Sequence, residues 1–403
     1  MSIEWNINRA RPRRGLIALA LVAALGSAGC GSSKSSGGGS SSTPAAATGT
    51  AAGQTSANSG GSGGTAAAQA WLNKMMAPPK WNGPKSSPPI AKNKFVIDIP
   101  CSQAALGCSR QGNAFIDAAK TLGWKTQLID PAGDPQKLQQ AFQEAIQEHA
   151  NGIFAPGGNA HTLGPWLQRA KQAGIKVVDL SGVQQTAGPG KLWDANILET
   201  NNLYARTDAA YIAVHSGGKA KVLSINDSEY AEINAQTQEF QHWLKVYCPG
   251  CQIVSNMNLS IVNVSTTFPQ QVQATLKANP QINWVMTPYD YVTIYVVQAI
   301  DQAGLKGKVN VVGWGGHPQN LGFIKANNGE VATVAVGLEW AGYAAADQMN
   351  RMFDNKPLWG GPSSTENYGQ ELIDKSNLPS NTSAFWDGGV NYAAHYKAIW
   401  GVH

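Results

Sequence analysis

The 403-residue chain has little charge: Asp, Glu, Lys and Arg make up 14% of it, against the roughly one quarter typical of soluble proteins. It also lacks the short motifs of common chemistry. It has no His-Glu-x-x-His, no Gly-x-x-x-x-Gly-Lys-Ser/Thr phosphate loop and no clustering of His with carboxylates at metal-ligand spacing, so zinc peptidase and nucleotide hydrolase chemistry have no residues to run on. A Gly-x-Ser-x-Gly match at 60–64 lies in a Gly/Ser tract with no strand before it, and is a product of composition rather than a nucleophile elbow. The N-terminal apolar run, 16–25, is too short to span a bilayer. These absences argue against an enzyme and predict no metal and no cofactor. What is present is a core: 43% hydrophobic residues with 13 Trp, 11 Tyr and 9 Phe exclude a wholly disordered chain.

The net charge of +5 sits mostly in the first residues. Arg9, Arg11, Arg13 and Arg14 precede the apolar run, and the small residues 26–29 lead into Cys30. That order of charged, apolar and small segments predicts a signal peptide over 1–29. The small residues before Cys30 resemble a bacterial lipobox, which implies acylation of Cys30, although Ser27 stands where Leu is usual; plain cleavage or a retained anchor is the alternative. Arg13-Arg14 also suggests twin-arginine export, with poorly fitting flanks. Removing 1–29 leaves 26 basic and 24 acidic residues, too small a surplus for a nucleic-acid partner.

Five cysteines are an odd number for an exported chain. With Cys30 lipidated, Cys101, Cys108, Cys248 and Cys251 remain, and four cysteines allow three connectivities. The local pairs 101–108 and 248–251 are favoured. Cys248-Pro249-Gly250-Cys251 follows a helical pattern and precedes a strand, so it reads as a turn staple rather than a redox pair, which normally opens a helix.

From Gly31 to Ala66, 32 of 36 residues are Gly, Ser, Thr or Ala. Such a stretch predicts a flexible tether with a span of about 33 Å. Residues 67–91, with five prolines, read as an irregular lead-in. Thereafter short β-branched runs (94–99, 125–130, 152–156, 175–180, 221–226, 252–258, 282–287, 309–314, 331–336) alternate with helical patterns (113–123, 163–174, 203–215, 233–246, 268–279, 291–304, 318–326, 340–353, and a segment after Asp134-Pro135 with Leu138, Phe142 and Ile146 on one face). Alternation at this spacing predicts an α/β fold with parallel sheets, in two lobes of similar size.

The stretches AAKTLGWKTQLIDPAGDPQKLQQAFQEAIQEHANGIFAP, AKQAGIKVVDL, INWVMTPYDYVTIYVVQAIDQAGL, VNVVGWGGHPQ and GEVATVAVGLEWAGYAA make Lys94 to Phe353 resemble type I periplasmic binding proteins of the ribose and galactose kind, the solute receptors of ABC importers. The resemblance implies two Rossmann-like lobes joined by three crossing strands, with ligand held between them. It places the first lobe at 92–200 plus 337–362, the second at 201–336, and a C-terminal extension of uncertain lobe at 363–403, behind a segment 30–91 that carries the anchor and lead-in.

Carried over by position, the resemblance nominates ligand contacts at strand ends. In the first loop these are Ser102, Gln103, Arg110 and Gln111. After 152–156 comes Asn159, and after 175–180 Ser181-Gly182, where sugar binders place Asp-Arg. In the second lobe they are Asn226, Tyr230, Gln236 (where Arg is usual), Tyr289-Asp290 (where Asn-Asp is usual), Trp314, Glu339 and Trp340. Hydroxyl-clamping charges are therefore sparse and aromatics plentiful. A sugar or polyol bound by neutral groups fits; so does an aromatic or heterocyclic ligand held by stacking. Structural alternatives stand beside these roles. Trp314 and Trp340 suit a core equally well, Asp290 suits a helix cap, Arg110 suits a surface ion pair, and His161 and His317 suit solvated loops.

The chain is thus expected to be an extracytoplasmic, membrane-anchored solute-binding lipoprotein. Its expected partners are a small neutral ligand and an ABC permease with its ATPase, with no nucleic acid, a membrane contact only through the lipid, and a monomeric state. A ligand-sensing co-receptor is the alternative role. The DNA-binding repressors that share this fold carry an N-terminal helix-turn-helix, and here a signal peptide and tether stand in that place.

Overall fold

The computed structural model describes residues 62–158, 160–180, 187–197 and 201–403. The expected signal peptide, Cys30, Asn159 and Ser181 lie outside the described residues.

Helix α1 (Ser62–Met75) comes first. The first lobe then alternates β1 (Phe95–Asp98), α2 (Leu106–Thr121), β2 (Lys125–Leu128), α3 (Pro135–Gln147), β3 (Gly152–Pro156), α4 (Ala160–Gln172), β4 (Lys176–Leu180) and β5 (Ala195–Ile197). The second follows with α5 (Asn201–His215), β6 (Lys221–Asp227), α6 (Ala231–Tyr247), β7 (Gln252–Leu259), α7 (Phe268–Ala278), β8 (Trp284–Met286), α8 (Asp290–Gln302), β9 (Asn310–Gly315), α9 (Pro318–Ala326) and β10 (Glu330–Val336). The chain returns through α10 (Leu338–Phe353), which packs on α2, β4 and β5, and ends with β11 (Gln370–Asp374) and α11 (Tyr392–Trp400).

The sheets run β2-β1-β3-β4-β5 and β11-β10-β9-β8-β6-β7, and every pairing is parallel except β10 with β11. Parallel strands covered by helices on both faces read as continuous apolar runs, as in β3, whose five residues are all buried. Local chemistry sets the helix starts. Asp134 accepts from the amides of Gln136 (2.7 Å) and Lys137 (3.2 Å) ahead of Pro135 at the first turn of α3, pairing a side-chain cap with a preset φ. Gly342 lets α10 approach α2, because a methyl group there would strike the Gln111 carbonyl and Ala114.

The structure departs from the sequence expectations at both ends. The tether reading overruns by five residues, since 62–66 already belong to α1, and 67–75 is helix rather than irregular lead-in. That helix is held by tertiary packing, since Ala68, Leu72 and Met75 are buried and α1 lies against α5 and α6. Trp71 donates to Thr207 (3.0 Å), and the Arg206 guanidinium covers the rings of Trp71 (3.8 Å) and Trp243 (4.1 Å). Helix α2 begins seven residues earlier than its apolar periodicity implied, because its first turns bury Ser109, Arg110 and Gln111.

The C-terminal extension has two attachments. Its strand β11 edges the second sheet, and its helix α11 closes an aromatic clasp over α10. There Trp81 of the lead-in stacks on Trp340 (5.3 Å) and His395 (4.4 Å), while Tyr343 stacks on Trp400 (5.9 Å). Buried acids anchor the clasp: Tyr396 donates to Glu366 (2.6 Å), Trp400 to Asp347 (2.8 Å), and Arg351 pairs with Asp347 (2.7 Å). The disulfides join Cys101 to Cys108 and Cys248 to Cys251, with Cα separations of 5.8 and 5.3 Å. No described helix is long and apolar enough to cross a membrane.

Candidate functional site

Open parallel sheets bind ligands beyond the carboxyl ends of their strands, and the main cleft lies there. It encloses about 70 Å³ and shares Cys101, Gly157 and Tyr230 with a neighbouring chamber of about 330 Å³. The first lobe contributes the Cys101–Cys108 disulfide after β1, Gln111 on α2, and Gly157 after β3. Gly157 adopts φ +76°, and a Cβ there would lie 3.1 Å from Cys101 and 3.6 Å from the Tyr230 ring, so glycine keeps the throat open. The second lobe contributes Tyr230, Glu232 and Ile233 after β6, Ile261 after β7, Tyr289 and Tyr291 after β8, and Trp314, Gly315 and His317 at the end of β9. Leu338 closes the wall where α10 begins.

The aromatic wall is fixed from behind. Trp314 stacks on Tyr204 (4.7 Å) and donates its indole N–H to Gln236 (3.0 Å), whose amide reaches the Pro288 carbonyl (3.4 Å). The Tyr289 hydroxyl donates to Asp227 (2.7 Å). Burial, reinforced by Glu229, pushes the Asp227 carboxyl up to about 7 against the lowering effect of that hydrogen bond. Burial also raises the Tyr230 and Tyr289 phenols well above their ordinary value, so both stay protonated.

Of the residues nominated from sequence, Gln111, Tyr230, Tyr289 and Trp314 line the cleft. Others stand behind it. Gln236 orients Trp314. Arg110 and Glu339 face each other in a two-pronged pair, both contacts 2.7 Å. Arg110 also donates to the carbonyls of Gly315 (3.2 Å) and Trp386 (3.3 Å) and lies on the Phe385 ring (4.3 Å), so its charge links the two lobes and the C-terminal extension. The surface ion pair expected for Arg110 is instead a buried one, with Arg110 only 5% exposed.

Asp290 is the first residue of α8, yet its carboxylate does not cap that helix. It accepts from the amides of Gly316 (2.8 Å) and His317 (3.1 Å) and from Thr333 (2.9 Å), holding the β9 loop in place, and burial lifts it to about 6. Asn226 lies in a network with Asn234 (2.7 Å), Asn258 (3.3 Å) and Thr237 (3.0 Å). Ser102 accepts from the Ala104 amide (3.2 Å), and the Gln103 amide donates to Asp130 (3.1 Å). Trp340 is outside the cleft, fully buried in the clasp.

The sequence reading passed over Glu232, Ile233, Ile261, Tyr291, Leu338 and the disulfide as wall residues. Their shared signal is position within a few residues of a strand's carboxyl end or at the first turn of the next helix. His317 reverses its expectation of a solvated loop. It is 2% exposed and lines the cleft, and its ring nitrogens have no hydrogen-bond partner among the described residues. Burial, with the Arg110 charge second, lowers its pKa and keeps the ring neutral. A neutral imidazole offers one donor and one acceptor. Among the described residues no His, Cys, Asp and Glu group could hold a metal.

Comparison with known proteins agrees with this geometry. The D-allose-binding periplasmic protein of Escherichia coli K12 is 27% identical over 231 residues, 54% of this chain and 71% of the relative. The ABC transporter periplasmic-binding protein YphF of the same organism is 23% identical over 203 residues, 49% of this chain and 61% of its own length. Among solved structures, a solute-binding protein from Thermotoga lettingae in complex with 5-methylthioribose aligns with a TM-score of 0.66 at 19% identity, covering 78% of this chain and 99% of that one. One from Burkholderia graminis in complex with D-arabinose aligns at 0.64 and 20% identity, over 72% and 98%. These likenesses show the fold. A family profile described as "Periplasmic binding protein domain" matches residues 100–357, and the chain therefore belongs to the periplasmic binding protein family.

Proposed function

We propose that the chain is the extracytoplasmic solute receptor of an ABC importer, held to the membrane through a lipid on Cys30, and that it closes over a small sugar or polyol-like solute. In this reading the lobes are 92–200 with 337–362, and 201–336, and they meet the permease together. The observation that carries it is the cleft itself, with an aromatic wall of Tyr230, Tyr289 and Trp314 facing Gln111 across two lobes at the ends of parallel strands. Aromatic faces take the C–H side of a sugar ring, while Gln111, Glu232 and His317 supply the hydrogen bonds. Receptors of this kind signal by closing, because ligand binds the closed state better than the open one. No chemistry is required of the site, and the relatives that carry a described role are binding proteins.

The apolar share of the wall, with Ile233, Ile261 and Leu338 beside the disulfide, supports a second reading in which the ligand has a flat or weakly hydroxylated body. Tryptophan fluorescence and thermal shift across pentoses, hexoses, polyols and small heterocycles test both. Saturable quenching by a sugar or polyol that disappears in Trp314→Phe is the expected result. Response to heterocycles alone supports the second reading, and a flat response across the panel with the protein folded overturns both.

A further inference from the structure

The C-terminal extension lies beyond residues 100–357, which the family profile matches, yet one of its turns reaches the cleft wall. Strand β11 runs antiparallel to β10 and carries the chain away from the carboxyl ends of the strands, and the segment after it returns there at Phe385-Trp386. Trp386 fixes that return to the second lobe. It is 5% exposed, packs with Leu321, Ala335 and Ile373, and hydrogen-bonds through its side chain to Glu371.

From this anchor the turn holds the loop after β9, whose Trp314, Gly315 and His317 line the cleft. The Trp386 amide donates to the Gly316 carbonyl (3.2 Å), and the Trp386 carbonyl accepts from Arg110 (3.3 Å), which also donates to Gly315 (3.2 Å). Gly316, at φ +74°, admits the turn, because a Cβ there would lie 3.0 Å from that of Trp386. Phe385 lies over the Arg110 guanidinium (4.3 Å) and meets the His317 ring edge-on (5.9 Å). His317 is where this support bears on binding. Its ring is buried and has no hydrogen-bond partner among the described residues. Phe385 excludes water from the imidazole but cannot bond to it, so its donor and acceptor are left for a hydroxyl in the cleft.

We infer that the Phe385-Trp386 turn is a positioning element of the solute site, holding the β9 loop so that the His317 imidazole stays shielded and directed to the cleft. The inference extends the solute-receptor reading above to residues outside the matched family domain, and rests on that reading for the ligand.

The first test needs no solute. Phe385 is 39% exposed, so Phe385→Ala removes little core. In that variant, carbethoxylation of His317 by diethyl pyrocarbonate, followed by peptide mass mapping, should be roughly tenfold faster than in the wild type, because the loop opens locally. Rates at His149, His215 and His242 should stay unchanged and Phe385→Tyr should restore protection, which a general loosening would not do. The His317 ring protons should also shift in NMR spectra of Phe385→Ala, because the neighbouring aromatic ring is gone. Calorimetric titration of D-allose, D-arabinose and allitol reads the effect on binding. A probe that binds the wild type should bind Phe385→Ala about tenfold more weakly, the worth of roughly one hydrogen bond. It should bind His317→Ala no differently from the double variant. His317 that stays protected in folded Phe385→Ala, or affinity losses that add in the double variant, overturns the inference and leaves the receptor reading standing. Silence from every probe counts against the receptor reading, while the protection of His317 still decides the role of the turn.

Discussion

Two aromatic assemblies in this protein use the same residue types to opposite ends. In the clasp, Trp340 is enclosed by Trp81 on one side (5.3 Å) and Tyr392 on the other (6.0 Å), and Tyr343, Tyr396 and Trp400 fill the remaining space. In the cleft, Trp314 is stacked by Tyr204, pinned by Gln236 and met edge-on by Tyr289 (6.5 Å), yet it also borders the cavity. The first arrangement is a closed core joining the lead-in, α10 and the C-terminal extension. The second is a wall held rigid from behind. Aromatic content therefore does not mark the site; being fixed on one side while bordering open space does, and strand ends create that condition.

Substitutions can break this contrast. Trp340→Ala should cost about 3–5 kcal/mol of stability, measured by chemical denaturation, because a large cavity replaces a fully packed ring. Ligand affinity of the folded fraction should stay within about twofold, since no contact to the cleft is lost. Loss of binding with stability intact would place Trp340 in the site and dissolve the distinction.

Next in size is Glu339→Gln, which leaves the Arg110 guanidinium buried without its carboxylate and should cost about 3 kcal/mol. The same change should weaken the junction where Arg110 reaches Gly315 and Trp386, so proteolysis near residue 386 should quicken. Replacing Cys101 and Cys108 together by Ser should cost about 2 kcal/mol by freeing a short loop in the unfolded chain. It should also reduce ligand affinity, because the disulfide is cleft wall; the equivalent change at Cys248 and Cys251 should lower stability alone.

The smallest expected effect is pH dependence. Asp227 and Asp290 are raised to about 7 and about 6 in the folded chain, so between their unfolded values and these the native state binds more protons. Stability is then fully present below the unfolded values and declines as pH rises through 6 to 7. His317 is lowered and acts the other way, reducing stability as pH falls below its ordinary value. The melting temperature should accordingly fall as pH rises from about 4 to about 7, less steeply where His317 opposes it, and level off above the folded values. Asp227→Asn should shrink the fall, and a curve that rises instead would show that the buried acids do not govern it.

Much of the fold was legible because periodicity and burial agree. The β3 run of Gly152 to Pro156 and the α9 pattern beginning at Pro318 end where the sequence pattern places them. Helix α1 was not legible, because its Ala and Ser resemble a linker until α5 and α6 supply something to pack against. Of the site, Tyr230, Tyr289 and Trp314 were nominated by the family resemblance, which carries ligand contacts to strand ends. Arg110 and Glu339 were also nominated, but nothing local shows that two residues 229 positions apart pair with each other rather than with a ligand. His317 was misjudged for the same reason: a polar residue in a loop is buried only if distant segments, here Arg110 and Phe385, close over it.

The sequence by itself determined the low charge, the absence of catalytic motifs, the alternation of strands and helices, and the local cysteine spacings that favour two short cross-links. These follow from composition and short-range periodicity, which act over one or two turns of chain. Tertiary structure alone decided which aromatic residues became core and which became wall, that Arg110 is matched by Glu339, and that the charged residues lining the cleft, among those described, are acidic. Those outcomes depend on contacts between segments far apart in the chain, where burial and pairing, rather than residue type, set what a side chain does.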